Sequence, residues 1–201
     1  MLKGVLIIIS APSGTGKSTI CRKLLGRRKD LRISISCTTR QPRPGEKHGK
    51  HYFFLDKEEF KRKIQRNEFL EWAVVHDQYY GTPRQYVETA TKSGHSLLLA
   101  IDVHGAMAIR RRKPDSVLIF LAPPSIESLK ERLAARRDET ESVAKRLANS
   151  REEFASAKKF DYLVVNDDLE QAVSQIENIL TAESLKTSRQ SVDDLVPVLA
   201  P

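Results

Sequence analysis

Four short runs of apolar residues without polar alternates mark this chain, at 5–9, 97–101, 117–121 and 162–165. Such runs predict strands that are buried on both faces, as in a parallel sheet. Helical patterns follow at 17–28, 125–136, 140–157 and 168–181. The last begins with Asp168 and Gln171 at the spacing of a capping box. Together the patterns predict an α/β fold with helices on both faces of the sheet.

Residues 33–95 follow a different pattern. Shorter, partly alternating apolar stretches at 33–36, 52–55 and 69–75 predict strands, and the polar residues at 56–59 predict the start of a helix that ends near 67. Proline, glycine and basic residues predict a loop over 40–51. We therefore expect an α+β insertion at 33–95. The tail after Thr181 loses its periodicity and is expected to be flexible.

Composition narrows the class of protein. A chain of 201 residues and 22.8 kDa suits one compact domain. Its apolar runs are far shorter than the roughly 20 residues of a membrane helix, and no signal peptide is recognisable, so we expect a cytoplasmic protein. Cys21 and Cys37 have no partner motif and are expected to pack as apolar groups. The net charge of +8 indicates an anionic partner, which could be nucleic acid, anionic lipid or a phosphorylated small molecule.

The clearest motif is the segment 11–18, APSGTGKS, between the first apolar run and the first helical pattern. In a strand–loop–helix context, main-chain N–H groups of such a loop bind phosphate, and Gly14 and Gly16 allow close approach. Lys17 would then bridge the β- and γ-phosphates, and Ser18 would bind Mg²⁺. The alternative is a glycine-rich turn with a chance lysine. Ala11 stands where the motif usually begins with glycine.

Asp102 follows the second apolar run, at the edge where the phosphate loop should lie. A carboxylate there could hold Mg²⁺ directly or through water. The alternative is that Asp102 caps the helix that follows.

A second anion site is predicted within the insertion. Arg40 and Arg43 lie three residues apart on a proline-stiffened loop, and Tyr52 follows soon after. Forked guanidinium groups in fixed geometry suit a phosphate monoester. Further on, the carboxylate of Glu71 could accept hydrogen bonds from the N1–H and the 2-amino group of guanine, which adenine does not offer. The alternative is a glutamate solvated at the surface.

The motifs APSGTGKST, SCTTRQPRPGE, GxxYFF, EFLEWA, YYGT, IDxxGA, APPS, LxxR and VNDD occur in this order. In this the chain resembles the guanylate kinases over about residues 4–180. The resemblance implies that ATP phosphorylates GMP, and also dGMP, to the diphosphate and is itself converted to ADP. It also implies a P-loop core at 1–32, 96–122 and 156–181, a GMP-binding insertion at 33–95 and a mobile helical lid at 123–155, followed by a flexible tail at 182–201.

The resemblance also implies roles by position. The ATP-binding set is Ala11, Pro12, Ser13, Gly14, Thr15, Gly16, Lys17, Ser18 and Thr19, with Asn166 and Asp167 beside the adenine. The guanine set is Ser36, Glu71 and Thr82, the GMP phosphate set is Arg40, Arg43, Tyr52 and Tyr80, and Asp102 completes the GMP site. The residues around the transferring phosphoryl group are Lys17, Arg43, Arg136 and Arg146. Mg²⁺, bound with ATP, would be held by Ser18 and Asp102.

Some features depart from the family pattern or stay outside it. Ala100 replaces a family carboxylate, and the lid is one residue short near Arg137. Arg132 and Arg137 could serve the phosphates or simply be solvated. Residues 110–113, Arg-Arg-Arg-Lys, lie outside the matched motifs and are expected to form a solvated face.

Two other classes of protein remain as alternatives. One is a non-catalytic module of the same fold that binds a phosphorylated peptide, and the complete phosphate loop argues against it because such a module has no need of Lys17 and Ser18. The other is a nucleic-acid binder, for which no recognisable motif is present. Among enzymes, other mononucleotide kinases would differ at Glu71.

Overall fold

The structure, a computed structural model, describes residues 4–75, 77–135 and 143–190. The strands are β1 (Leu6–Ser10), β2 (Leu31–Ile33), β3 (Cys37–Thr38), β4 (Phe53–Phe54), β5 (Phe69–Val75), β6 (Gln78–Pro83), β7 (Ser96–Ala100), β8 (Val117–Ala122) and β9 (Tyr162–Val165). The helices are α1 (Lys17–Arg27), α2 (Lys57–Gln65), α3 (Arg84–Lys92), α4 (Val103–Arg112), α5 (Ile126–Ala134), α6 (Val143–Ala155) and α7 (Leu169–Ser184).

The larger sheet has five parallel strands in the order β2-β7-β1-β8-β9. Along β1, Ile7 and Ile9 face the core beneath α1 and α7, whereas Leu6 and Ile8 face the core beneath α3 and α4. Both faces are covered, which explains why the strand is apolar at successive positions. The parallel sheet with flanking helices confirms the predicted α/β fold.

The start of the insertion differs from the prediction. The strand expected at 33–36 is instead Leu31–Ile33, and it pairs with β7 in the larger sheet. Leu31 is buried in the core below α1, and this burial fixes the strand there. The chain leaves the larger sheet only after Ile33.

The smaller sheet has the order β4-β3-β6-β5 and mixes parallel with antiparallel pairs. Helix α2, which begins at the cap Asp56 as predicted, buries Phe60 against Phe69. Helix α3 was not predicted, and its Val87 packs into the core of the larger sheet. The two sheets therefore share packing through α3 rather than standing as separate units.

The last helix extends beyond its predicted end at 181, and the expectation of a flexible tail at 182–201 stays a prediction. Helix α7 continues to Ser184, and a 3₁₀ turn follows at Thr187–Arg189. Glu183 is buried, accepts a 2.6 Å hydrogen bond from the Tyr162 hydroxyl and pairs with Arg189. These contacts join Glu183 to β9 and to Arg189, and residues 191–201 lie outside the described part.

Two expectations from composition can be compared with the structure. Cys21 and Cys37 are both buried and unpaired, as expected. Across the described residues, no helix is long and apolar enough to span a membrane.

Candidate active site

The phosphate loop lies between β1 and α1, where the sequence predicted it. Gly14 and Gly16 have φ angles of 86° and 95°, which favour glycine. Gly16 occupies the N-cap of α1 and has no side chain to cap it, so the first N–H groups of the helix stay open to a ligand. Ala11 has no such φ angle, which explains why alanine is tolerated there.

The loop opens into a pocket of about 290 Å³. Its lining comprises Ala11, Pro12, Ser13, Gly14, Gly16, Lys17, Ser18, Asp102 and Glu153. Of the predicted ATP-binding residues outside that lining, Thr15 is fully buried and Thr19 is exposed. Loop amides and one lysine in a pocket of this size suit the phosphates of a nucleotide.

Lys17 is held towards this pocket by the neighbouring strand. Its Nζ donates a 2.9 Å hydrogen bond to the main-chain oxygen of Ile101. Burial lowers the pKa of Lys17, and the nearby charges of Asp102 and Glu153 partly oppose that shift. An ammonium has three donors, so the bond to Ile101 leaves donors for phosphate.

Asp102 has two contacts that bear on its role. Its Oδ1 accepts a 2.8 Å hydrogen bond from the Gly105 N–H, so it caps α4, the alternative considered from the sequence. It also lines the phosphate pocket. The cap therefore fixes the carboxylate beside the loop, and the two roles are compatible.

Glu153, on α6, is a pocket residue that the sequence reasoning missed. Burial raises the pKa of Glu153 to about 7, and the charge of Asp102 adds to the shift while Lys17 and His104 oppose it. It lies seven residues after Arg146, which places both on one side of the helix. That spacing is the signal that could have revealed it.

A metal ion at this pocket would need ligands from the nucleotide. Within the described ranges, no group of three or more His, Cys, Asp or Glu residues could hold a metal. Mg²⁺ usually takes one or two carboxylates and completes its shell with water and substrate phosphates. The carboxylate of Asp102 and the hydroxyl of Ser18 in one pocket fit that requirement.

Asn166, expected beside the adenine, contacts the phosphate loop. Its Nδ2 donates a 2.6 Å hydrogen bond to the main-chain oxygen of Thr15. A Cβ at Gly16 would lie 2.5 Å from the same Nδ2, so glycine leaves the space that the amide fills. Arg132 donates to the main-chain oxygen of Asn166 through both terminal nitrogens at 3.3 Å, and Asp167 is exposed.

The predicted guanine-selecting carboxylate is buried, which excludes the alternative of a solvated surface group. Glu71 is 7% exposed, and its Oε1 accepts a 2.6 Å hydrogen bond from the Thr82 hydroxyl. Burial raises the pKa of Glu71 to about 7; the bond from Thr82 opposes the shift and the charge of Asp102 adds to it. A Cβ at Gly105 would lie 3.3 Å from Glu71 Oε2, so the carboxylate packs on the first turn of α4.

The predicted phosphate-binding residues of the insertion are partly engaged with one another. Arg40 pairs with both oxygens of Glu46 at 2.9 Å and lies 5.6 Å from the centre of the Tyr52 ring. Tyr52 in turn packs edge-on against Tyr80, with the ring centres 6.1 Å apart. Arg43 is exposed and anchors Glu46 through its main-chain N–H. Glu46, which the sequence reasoning did not single out, thus braces this loop.

Three further predicted residues have different outcomes. Ser36 is half-buried beside β3, and Arg146 is 5% exposed on α6. Arg136 lies outside the described residues, as does Arg137.

At 110–113 the expectation of a solvated face holds for Arg111 and Arg112, which are exposed, but not for Arg110 and Lys113, which are half-buried. Arg110 pairs with Asp161, and Lys113 lies 3.8 Å from Asp115. Arg112 donates to the main-chain oxygens of Phe69 and Leu70. These partners are distant in sequence or lie across a turn, so the charge pattern alone could not reveal them.

Comparison with known proteins gives consistent matches. The family model described as guanylate kinase matches residues 3–183. A guanylate kinase of Symbiobacterium thermophilum is 50% identical over 93% of this chain and 89% of its own length. One of Caldanaerobacter subterraneus is 47% identical over 93% of this chain and 91% of its own. The crystal structure of guanylate kinase from Anaplasma phagocytophilum superposes with a TM-score of 0.80 at 37% identity, covering 98% of this chain and 95% of that one.

Proposed function

This chain belongs to the guanylate kinase family, and we propose that it transfers the γ-phosphoryl group of ATP to GMP, giving ADP and GDP. The observation that carries the proposal is that the loop pocket and the buried carboxylate of Glu71 meet at the first turn of α4. Asp102, its cap, lines the loop pocket, and Gly105 lies against the carboxylate of Glu71. Two nucleotides bound there lie side by side, as direct in-line transfer requires.

The donor nucleotide binds at the loop between β1 and α1. Its phosphates accept hydrogen bonds from the main-chain N–H groups of 11–19, and Lys17 bridges the β- and γ-phosphates. Asn166 and Asp167 lie beside the adenine. Arg43, Arg136 and Arg146 neutralise the charge that spreads over the transferring group.

The acceptor nucleotide binds across the smaller sheet. Glu71 accepts hydrogen bonds from N1–H and the 2-amino group of guanine, with Thr82 and Ser36 at its side. Arg40, Arg43, Tyr52 and Tyr80 bind the 5′-phosphate. No residue in this assignment recognises the 2′-hydroxyl group, so dGMP is a substrate as well.

Selection against adenine follows from the burial of Glu71. Adenine presents a lone pair at N1 and no 2-amino group, so a buried carboxylate would be left facing an acceptor. A site built around such a hydrogen bond rejects analogues that lack the donor more strongly than a purely apolar pocket can.

Ser18 and Asp102 would hold the Mg²⁺ that accompanies ATP. When bound, the ion neutralises phosphate charge and orients the phosphate oxygens. Such an enzyme serves purine nucleotide metabolism, and we propose that it works in the cytoplasm, where its two small-molecule substrates meet.

A non-catalytic module that grips a phosphorylated peptide is the second candidate function. Such a module would use Arg40, Tyr52 and Tyr80 beside the smaller sheet and have no need of the loop pocket. The present chain keeps both, with Lys17 fixed by Ile101 and the loop braced by Asn166. These contacts favour the enzyme.

The fate of a labelled phosphoryl group tests the proposal. ATP labelled at the γ-phosphate is incubated with GMP and Mg²⁺, and the products are separated. The expected label is in GDP, and the Lys17→Ala variant, as control, should lose nearly all transfer while it still binds GMP. Label that appears only in inorganic phosphate, or equal transfer by the variant, would refute the proposed reaction.

A further inference from the structure

Strand β5 contains a bulge directly before Glu71. Phe69 pairs with Pro83 and Glu71 pairs with Thr82, so Leu70 is an extra residue with no counterpart on β6. In a regular strand the next residue, Leu70, would pair with Thr82, and Glu71 would pair with Gly81. The bulge therefore creates the pairing that joins the carboxylate of Glu71 to the hydroxyl of Thr82.

Burial around the bulge shows that it is a built feature. Phe69 is 2% exposed in the core of the smaller sheet, Leu70 is 2% exposed in the core of the larger sheet, and the buried carboxylate of Glu71 lies between the Thr82 hydroxyl and the first turn of α4. Consecutive residues of a regular strand point to opposite faces, with one face often solvated. Here three consecutive side chains are buried in three different places, so a shift in the bulge would misdirect Glu71.

Arg112 holds the main chain at this bulge. It is the last residue of α4, and its Nη1 donates hydrogen bonds of 2.8 Å to the main-chain oxygens of both Phe69 and Leu70. Arg84 also reaches the Phe69 oxygen, at 3.4 Å, but not that of Leu70. Arg112 is thus the side chain that supplies a donor to the carbonyl of the extra residue.

Helix α4 consequently touches Glu71 and its strand at two points. Near its N-terminus, Gly105 lies against the carboxylate of Glu71. At its C-terminus, Arg112 fixes the carbonyls of the two preceding residues. The positive charge of Arg112 also acts on Glu71, whose pKa it lowers against the larger effect of burial.

We propose that Arg112 is a positioning residue for guanine selection, because it holds the Phe69–Leu70 bulge that places Glu71 opposite Thr82. The inference rests on the proposed function and goes beyond it by naming a residue outside the loop pocket and outside the residues assigned to bind GMP. Arg112 itself is exposed to solvent, so its removal opens no cavity in the core. Its effect is on the geometry of one carboxylate rather than on the fold as a whole.

The test compares GMP with IMP, which lacks only the 2-amino group and so makes one hydrogen bond fewer to Glu71. Arg112→Ala should lower the ratio of kcat/KM for GMP to that for IMP by about five- to tenfold, the range expected when one hydrogen bond loses its alignment. KM for ATP at saturating GMP should stay unchanged. The affinity for GMP alone, measured by calorimetry, should fall in parallel.

Two control variants sharpen the comparison. Arg111→Ala removes the adjacent exposed arginine, for which no side-chain partner exists among the described residues, and should leave the ratio unchanged. Arg112→Lys retains a donor that can reach both carbonyls and should restore most of the selectivity. If Arg112→Ala were unfolded at the assay temperature, the ratio of kcat/KM for GMP to that for IMP in Arg112→Lys and Arg112→Gln would test the positioning role instead. The Arg112→Lys variant should then have the higher ratio.

The outcomes separate the two proposals. A wild-type enzyme that fails to phosphorylate GMP refutes the proposed function. Two results with an active wild type would refute the positioning role alone. In the first, Arg112→Ala has the same ratio of kcat/KM for GMP to that for IMP as the wild type. In the second, Arg112→Ala loses kcat/KM equally for both substrates and has a lower melting temperature.

Discussion

The side-chain amide of Asn166 donates a 2.6 Å hydrogen bond to the main-chain oxygen of Thr15, across the ends of the strands of the larger sheet. Thr15 lies between Gly14 and Gly16, the two loop residues with positive φ. The bond therefore restrains the loop in the conformation that its N–H groups need to bind phosphate. A loop held in this way loses less conformational entropy when ATP binds.

Removing this restraint should weaken ATP binding. We expect Asn166→Ala to raise the dissociation constant for ATP by about tenfold, consistent with loss of one buried hydrogen bond of roughly 1.4 kcal/mol. Asn166→Asp keeps the size but loses the N–H donor, and should behave like the alanine variant. Calorimetric titration with ATP checks both, and unchanged affinity in either variant would contradict the restraint.

The pKa of Glu71 gives the acceptor site a pH dependence. Because burial raises that pKa to about 7, the carboxylate becomes an acceptor for guanine only as the pH rises through that value. The value of kcat/KM for GMP should therefore increase from pH 6 to pH 8. In Glu71→Gln the rate should be low and this step should be absent, and a step of wild-type size in that variant would show that another group is responsible.

The same pKa predicts the effect of Glu71 on stability. Its folded pKa of about 7 exceeds the ordinary glutamate pKa of 4.5, so its contribution to stability is complete below about pH 4.5 and is lost as the pH rises through 7. The melting temperature of Glu71→Gln minus that of the wild type should therefore be larger at pH 8 than at pH 5. Thermal unfolding at the two pH values measures the difference, and an equal change at both would contradict the sign.

Gly105 should be required for the position of Glu71. A Cβ at this residue would lie 3.3 Å from Glu71 Oε2 and 3.2 Å from Ile101 Cδ1, so both neighbours must move. We expect Gly105→Ala to raise KM for GMP severalfold while KM for ATP changes little. Gly26→Ala is the matched control, because a Cβ there meets nothing within 4 Å. Equal kinetics in the two variants would show that the contact with Glu71 has no consequence.

Glu153 should oppose binding of ATP without metal. Its side chain lines the pocket that would receive the triphosphate, and at pH 8, above its pKa of about 7, the carboxylate and the triphosphate repel unless a cation lies between them. Glu153→Gln should bind ATP in the presence of a chelator several times more tightly than the wild type. Titration with and without Mg²⁺ measures the effect, and weaker metal-free binding by the variant would contradict it.

Much of the larger sheet could be predicted from the sequence because burial on both faces leaves a simple signal, an unbroken apolar run such as 117–121. Helix α3 was missed because its apolar positions are few: Val87 enters the larger core and Ala90 packs against it in part. The position of strand β2 was predicted wrongly because the strand has only three residues. The phosphate loop was predictable because its glycines, lysine and serine are contiguous.

The acceptor site was harder to predict for a physical reason. Glu71 could be proposed from its type, but its burial and its pairing with Thr82 depend on a bulge that composition does not reveal. Arg112 and Glu153 act on residues many positions away, and Asn166 contacts Thr15 across 151 positions. Such contacts arise from tertiary packing and cannot be predicted from the spacing of residues along the chain.

The most direct test of the account is the steady-state rate of ADP release with a panel of nucleoside monophosphates, at fixed ATP and Mg²⁺. GMP and dGMP should be phosphorylated with kcat/KM at least about a hundredfold above that for AMP, CMP or UMP, as expected for a site built around a buried hydrogen-bonding group. In Glu71→Gln this preference should shrink towards equality. Comparable turnover of AMP and GMP by the wild type would contradict the claim that Glu71 selects guanine.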